Sequence, residues 1–221
     1  VGMHKTGTTS IQNSLKSFEN DTFVYARLGN NPNHSVQIYS LFADSPERHP
    51  LNENRRNAPG GMAAYLESVG RDLANSISLA GSRTLLISGE LIGYLDEAGL
   101  AKLRDRLAPH FESVEIVAYV RAPLSYMTSA FQQMVRGGRR TVLGFDRLYR
   151  SYRDSFEKFD RVFGRSNVSL WKYDRGTFAG GDVVQDFCGR IGLDLGARAV
   201  EVVNESKTTR EMIALMFQYN R

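Results

Sequence analysis

The sequence predicts an α/β protein in which parallel strands are covered by helices on both faces. Strand-sized apolar runs alternate with stretches whose apolar residues recur at spacings of three and four. A turn rich in glycine and threonine follows the first run and leads straight into a helical stretch, where sheets of this kind bind anions. The 221 residues, 42% hydrophobic and 24% charged, suffice for one sizeable core and are short for two full domains. One domain over 1–221 is expected, lacking a few residues of its first strand and some at its C-terminal end.

Strands are predicted at Val1 to His4, Thr84 to Ser88, Val114 to Val120 and Val168 to Tyr173, where branched and aromatic residues form short runs. Between them, helical spacing marks Thr9 to Ser17, Met62 to Ile77, Glu97 to Leu107, Leu124 to Val135, Phe145 to Phe163 and Val183 to Ile191. In the fifth of these, Phe145, Leu148, Tyr149, Tyr152, Phe156, Phe159 and Phe163 trace one face, a stripe that reads as core packing. Asn30 to Pro59 is rich in Asn and Pro and reads as a long excursion with one helix around Ser35 to Phe42, the kind of segment that serves as a lid or substrate wall. No repeat or low-complexity tract interrupts the pattern.

Lys and Arg number 28 against 24 Asp and Glu, a net charge of +4. This mild basic bias suits an anionic ligand and does not call for nucleic acid. The longest apolar runs are far below the roughly 20 residues of a membrane helix, so no span is expected. The single cysteine, Cys188, forms no internal disulfide and lies in an apolar pattern as a buried small hydrophobe, which fits a reducing, cytoplasmic setting. His4, His34, His49 and His110 lack metal-site spacing.

The segment Gly2-Met3-His4-Lys5-Thr6-Gly7-Thr8-Thr9-Ser10 lies between a predicted strand and a predicted helix. Glycines let backbone N–H groups approach an anion, and the helix N-terminus adds its dipole. A nucleoside triphosphatase would carry Lys immediately after the second glycine, followed by Ser or Thr. Thr8 stands there instead, and the lysine is Lys5. The run His-Lys-Thr-Gly-Thr-Thr-Ser resembles the 5′-phosphosulfate loop of bacterial-type sulfotransferases that use 3′-phosphoadenosine 5′-phosphosulfate. The resemblance implies a P-loop NTPase-like three-layer fold, a central parallel sheet flanked by helices. It implies donor binding by Lys5, Thr6, Gly7, Thr8, Thr9 and Ser10.

A second segment supports the same resemblance. In Val117-Ala118-Tyr119-Val120-Arg121-Ala122-Pro123 a strand ends at an arginine, Pro123 suits the first helical position, and Ser129 follows eight residues after Arg121. The pattern is similar to the family's 3′-phosphate motif, which implies that Arg121 and Ser129 bind that phosphate. Trp171 to Asp174 and Phe187 to Leu193 resemble further, less specific family segments.

The family reaction moves a sulfuryl group to an acceptor hydroxyl, less commonly an amine, and releases adenosine 3′,5′-bisphosphate; it requires no metal. Lys5 and the loop N–H groups would neutralise the leaving phosphate, and a base must take the acceptor proton. Glu90, just beyond the strand Leu85-Leu86-Ile87, is the first choice, with His4 the alternative and Ser88 a support. The basic turn Arg136 to Arg140 and the polar run Asn204 to Lys207 have no settled role. The expected partner is a carbohydrate or small-molecule acceptor, with oligomeric state open. Competing readings are a P-loop nucleotide or small-molecule kinase and a noncatalytic nucleotide-binding protein.

Overall fold

The computed structural model describes residues 1–3, 6–138, 148–198, 200–201 and 210–219. In chain order the elements are α1 (Thr8–Leu15), β1 (Phe23–Tyr25), α2 (Ser35–Phe42), α3 (Glu53–Arg56), α4 (Gly61–Ala80), β2 (Thr84–Leu86), α5 (Glu97–Leu107), β3 (Ile116–Val120), α6 (Pro123–Arg136), α7 (Tyr152–Phe163), β4 (Val168–Lys172), α8 (Val183–Ile191) and α9 (Arg210–Tyr219). Short 3₁₀ turns connect several of them, including Glu90–Tyr94.

The strands form two parallel pairs. β1 lies beside β2 with Phe23 opposite Thr84 and Tyr25 opposite Leu86, and β3 lies beside β4 from Ile116 opposite Val168 to Val120 opposite Lys172. Residues 1–3 run along β3, the Val1 nitrogen donating to the Val117 carbonyl (3.1 Å) and the Met3 N–H to that of Tyr119 (3.2 Å). Among the described residues the ladder therefore stops short of the single central sheet expected from sequence, because this first segment hydrogen-bonds to β3 and makes no described ladder with β2.

Both pairs nevertheless share the same two apolar clusters. Ala26 and Leu28 after β1, with Ile116 and Ala118 of β3, join Ile38 of α2, Leu73 of α4, Leu100 of α5 and Phe159 of α7. Phe23 and Tyr25 of β1, with Tyr119 of β3, join Ile11 and Leu15 of α1 and Val184 and Cys188 of α8. Alternate strand residues thus serve opposite faces, as the two-residue period of a strand requires. Each fully buried aliphatic side chain in these clusters contributes about 1.5–3 kcal/mol, and truncating a buried Phe such as Phe159 to Ala would cost about 3–5 kcal/mol.

A polar tie crosses the second cluster. The Tyr119 hydroxyl donates to Asp186, which also accepts from Arg190 Nε (2.7 Å), and Arg190 lies over the Trp171 ring. Burial works against the Asp186 charge, but hydrogen bonds from Arg190 and Tyr119 outweigh it and hold the carboxyl below its usual range. This tie fixes α8 against β3.

Several elements differ from the sequence reading: α3 and α9 were not among the expected helices, and the described part of the expected first strand, residues 1–3, is not assigned as a strand. β1 was not foreseen, since Phe23-Val24-Tyr25 is only three residues long. The helix expected over 145–163 is broken at 149–151: Leu148 is helical, and α7 starts anew at Tyr152, where Ser151 Oγ accepts from the Asp154 N–H and caps it, while Tyr149 is exposed. Phe156, Phe159 and Phe163 are buried as expected; 145–147 lie outside the described residues. Among the described residues no helix is long and apolar enough to cross a membrane.

Candidate functional site

The turn before α1 is held by three local features. Gly7 takes a left-handed conformation (φ 71°, ψ 12°), and its carbonyl accepts from Ser10 N–H (3.0 Å) and Ile11 N–H (3.2 Å). A Cβ at Gly7 would lie 2.6 Å from Val183 Cγ1 of α8, so conformation and space both require glycine. Thr6 is buried, and its hydroxyl donates to the Met3 carbonyl (2.6 Å), tying the turn back to the segment it leaves. Thr8 and Thr9 begin α1, where the first N–H groups of a helix lack intrahelical acceptors and its dipole is positive. Thr8 is half-buried, Thr9 exposed and Ser10 buried. His4 and Lys5 lie outside the described residues.

Glu90 stands on a segment clamped by the start of α2. His34 N–H donates to the Ser88 carbonyl (2.9 Å), Ser88 N–H donates to His34 Nδ1 (3.2 Å), and Leu91 N–H donates to Ser35 Oγ (3.3 Å). Gly89 fits against α2 so closely that a Cβ would meet Ser35 N at 2.7 Å and Ser35 Cα at 2.8 Å. From the other side, Gln12 Nε2 of α1 donates to Ser88 Oγ (3.2 Å), which joins the Glu90 segment to the helix that follows the glycine turn. His34 is fully buried against the Tyr25 ring, and its Nε2 has no hydrogen-bond partner among the described residues. Burial therefore lowers its pKa to about 4, opposed by the Ala26 backbone, and the ring is neutral at neutral pH. Glu90 itself is half-buried beside Val1, Gly2 and Met3 in a cleft shared with Tyr94 and Arg150.

Arg121 leaves the C-terminal end of β3, two residues after the Tyr119 carbonyl that pairs with Met3. The glycine turn and Arg121 consequently emerge at the same edge. Arg121 Nε donates to Ser125 Oγ (2.7 Å), its guanidinium sits 5.4 Å from the Tyr173 ring centroid, and its carbonyl accepts from the Tyr152 hydroxyl (2.5 Å). Partial burial and nearby Arg175 lower its pKa, opposed by Tyr173 and Tyr152. Two cations beside an aromatic face suit a phosphate or a nucleotide. Ser129 lies half-buried two turns along α6, after Pro123 at the first helical position.

Sequence reasoning missed Tyr173 and Arg175 as companions of Arg121, and His34 and Ser35 as supports of Glu90. An aromatic residue beside a cation after β4 was the available signal for the first pair. The His34 clamp has no local sequence signal. Asp174, in a segment whose sequence resembles a family segment, caps the next turn through Gly176 N–H (3.2 Å) and accepts from Lys172 Nζ (2.7 Å). In the basic turn, Arg136 closes α6, whereas Arg139 and Arg140 lie outside the described residues, as does Asn204 to Lys207.

The fold is similar to that in the crystal structure of a sulfotransferase from Alicyclobacillus acidocaldarius: TM-score 0.55, 18% identity, with 100% of this chain and 90% of that chain covered. No family model and no curated protein sequence matches the chain. The structural likeness extends over every element described above and establishes a sulfotransferase-like α/β fold. Among the described residues no group of three or more His, Cys, Asp or Glu is placed to hold a metal ion.

Proposed function

We propose that the chain is a single-domain sulfotransferase that uses 3′-phosphoadenosine 5′-phosphosulfate and a hydroxyl acceptor, a carbohydrate or small molecule. The observation that carries this is the emergence of the glycine turn and Arg121 at one edge, with Glu90 tied to the same helix through Ser88 and Gln12. In this proposal residues 1–3 supply the central strand of a P-loop-like three-layer fold, between the two pairs. Their hydrogen bonds to β3 support that placement.

The residues present fit the donor's chemistry. The turn at Gly7 admits nothing larger than glycine, so backbone N–H groups are left to meet the 5′-phosphosulfate, with Thr8, Thr9, Ser10 and Lys5 around it. Thr6 acts by tying the turn to Met3. Arg121, flanked by Tyr173 and Arg175, and Ser129 take the 3′-phosphate. When bound, the donor supplies an activated sulfuryl group. Glu90, or His4 in its place, accepts the acceptor's hydroxyl proton as the new oxygen–sulfur bond forms and the bond from sulfur to the phosphate oxygen breaks. Lys5 and the N–H groups of α1 stabilise the charge that grows on that phosphate. No metal takes part.

Calorimetry tests the donor assignment. Adenosine 3′,5′-bisphosphate should bind without magnesium and more tightly than ATP. Tighter, magnesium-dependent ATP binding would replace the proposal with a P-loop kinase.

A further inference from the structure

Beside Glu90 lies an arginine that the donor site does not use. Arg150 lines a cleft of about 40 Å³ together with Gly2, Glu90, Tyr94 and Tyr126. Its guanidinium donates to the Tyr94 hydroxyl and sits 5.2 Å from the Tyr94 ring centroid and 5.7 Å from that of Tyr126. Neighbouring arginines find carboxylates: Arg153 pairs with Glu157, Arg161 with Glu97 and Glu157, and Arg165 with Asp160. Arg150 makes no ion pair with any described residue, although half-buried. Burial works against its charge, and Tyr94 and Tyr126 more than compensate, so it remains a cation.

A guanidinium has five donors in a planar fork matched to a carboxylate. The two tyrosines lie around that fork, and it has no counter-charge among the described residues. The cleft has room for a few water molecules, enough to admit a carboxylate group. Glu90 lines the same cleft, so a group bound to Arg150 would bring a hydroxyl of the same molecule toward that carboxylate. We infer that Arg150 is an acceptor-binding residue and that the acceptor is a hydroxy acid, its carboxylate held by Arg150 and its hydroxyl presented to Glu90. The role given to Glu90 rests on the sulfotransferase proposal; carboxylate binding at Arg150 does not.

The test uses matched probes, 4-hydroxybenzoate against 4-hydroxybenzamide and glucuronate against glucose. They are titrated into the protein by saturation-transfer NMR, with adenosine 3′,5′-bisphosphate at saturation and again without it. The carboxylates should bind about tenfold or more tightly than their neutral partners. Arg150→Gln should abolish that preference, and Arg150→Lys should keep part of it. In the wild-type protein, 4-hydroxybenzoate should also protect Arg150 from phenylglyoxal, read by mass spectrometry, a measurement that does not depend on a variant folding. Equal binding of each pair, a preference that survives in Arg150→Gln, or modification of Arg150 undiminished by 4-hydroxybenzoate would overturn the inference. Absence of bisphosphate binding alongside an Arg150-dependent carboxylate preference would instead remove the donor assignment and leave the carboxylate site standing.

Discussion

Acid should destabilise this protein through His34. The ring is fully buried, with no partner for Nε2 among the described residues and with Nδ1 accepting from Ser88 N–H, so the folded state resists its protonation down to about pH 4. An unfolded histidine takes its proton near pH 6.5. Below pH 6.5 the unfolded chain therefore binds the extra proton and gains stability relative to the fold. The contribution is fully present above that pH and is lost as the pH falls toward 4. At about 1.4 kcal/mol per pH unit, the gap between 6.5 and 4 corresponds to about 3 kcal/mol in full, of which about 2 kcal/mol is lost by pH 5. Urea unfolding of wild type and His34→Asn at pH 7.5, 6 and 5 isolates the effect. Asn keeps an acceptor for Ser88 N–H but does not titrate, so the variant should start less stable and lose about 2 kcal/mol less over that interval. Parallel losses in the two proteins would refute the assignment, because acid sensitivity would then come from other groups.

Gly7→Ala should lower the melting temperature and weaken bisphosphate binding, since a left-handed alanine costs about 1–2 kcal/mol and its Cβ meets Val183. Adding Val183→Ala should recover part of the loss; no recovery would show that steric contact is unimportant. Arg121→Ala should weaken adenosine 3′,5′-bisphosphate by about 1.5–3 kcal/mol and adenosine 5′-phosphate by much less, and equal losses would remove Arg121 from the 3′-phosphate. Glu90→Gln should cut turnover roughly 10²–10⁴-fold with bisphosphate affinity unchanged; an active variant would transfer the base role to His4.

What could be read from sequence was contiguous. The turn around Gly7 and the Arg121–Pro123 stretch each lie within ten residues and lead directly into a helix, where local signals are strong. Helices such as α5 and α8 follow their apolar spacing, with Asp96 and Asp182 as caps. What could not be read depends on residues far apart in the chain. His34 matters through Ser88, and Tyr152 through the Arg121 carbonyl, contacts that no period or motif encodes. The break before α7 was missed because the aromatic stripe runs across 149–151, where the Ser151 hydroxyl caps a new helix start whatever the spacing of the rings. β1 is too short for three apolar residues to stand out from a turn.

The contact between Gly7 and Val183 joins positions 176 residues apart. Nearby, Arg198 donates to the Lys16 carbonyl (3.0 Å), and Glu201 N–H to Ser14 Oγ (2.9 Å), so the far part of the chain braces both ends of α1. Loop closures of that span come late in folding. During synthesis the glycine turn would leave the ribosome early yet stay without its wall until α8 had docked. On the proposed function, a chain interrupted before α8 would carry the glycine turn without the wall it needs to hold a nucleotide. Nucleotide capture, if the proposal holds, would become a readout of completed assembly, and a bound nucleotide would in turn hold α1 and α8 together.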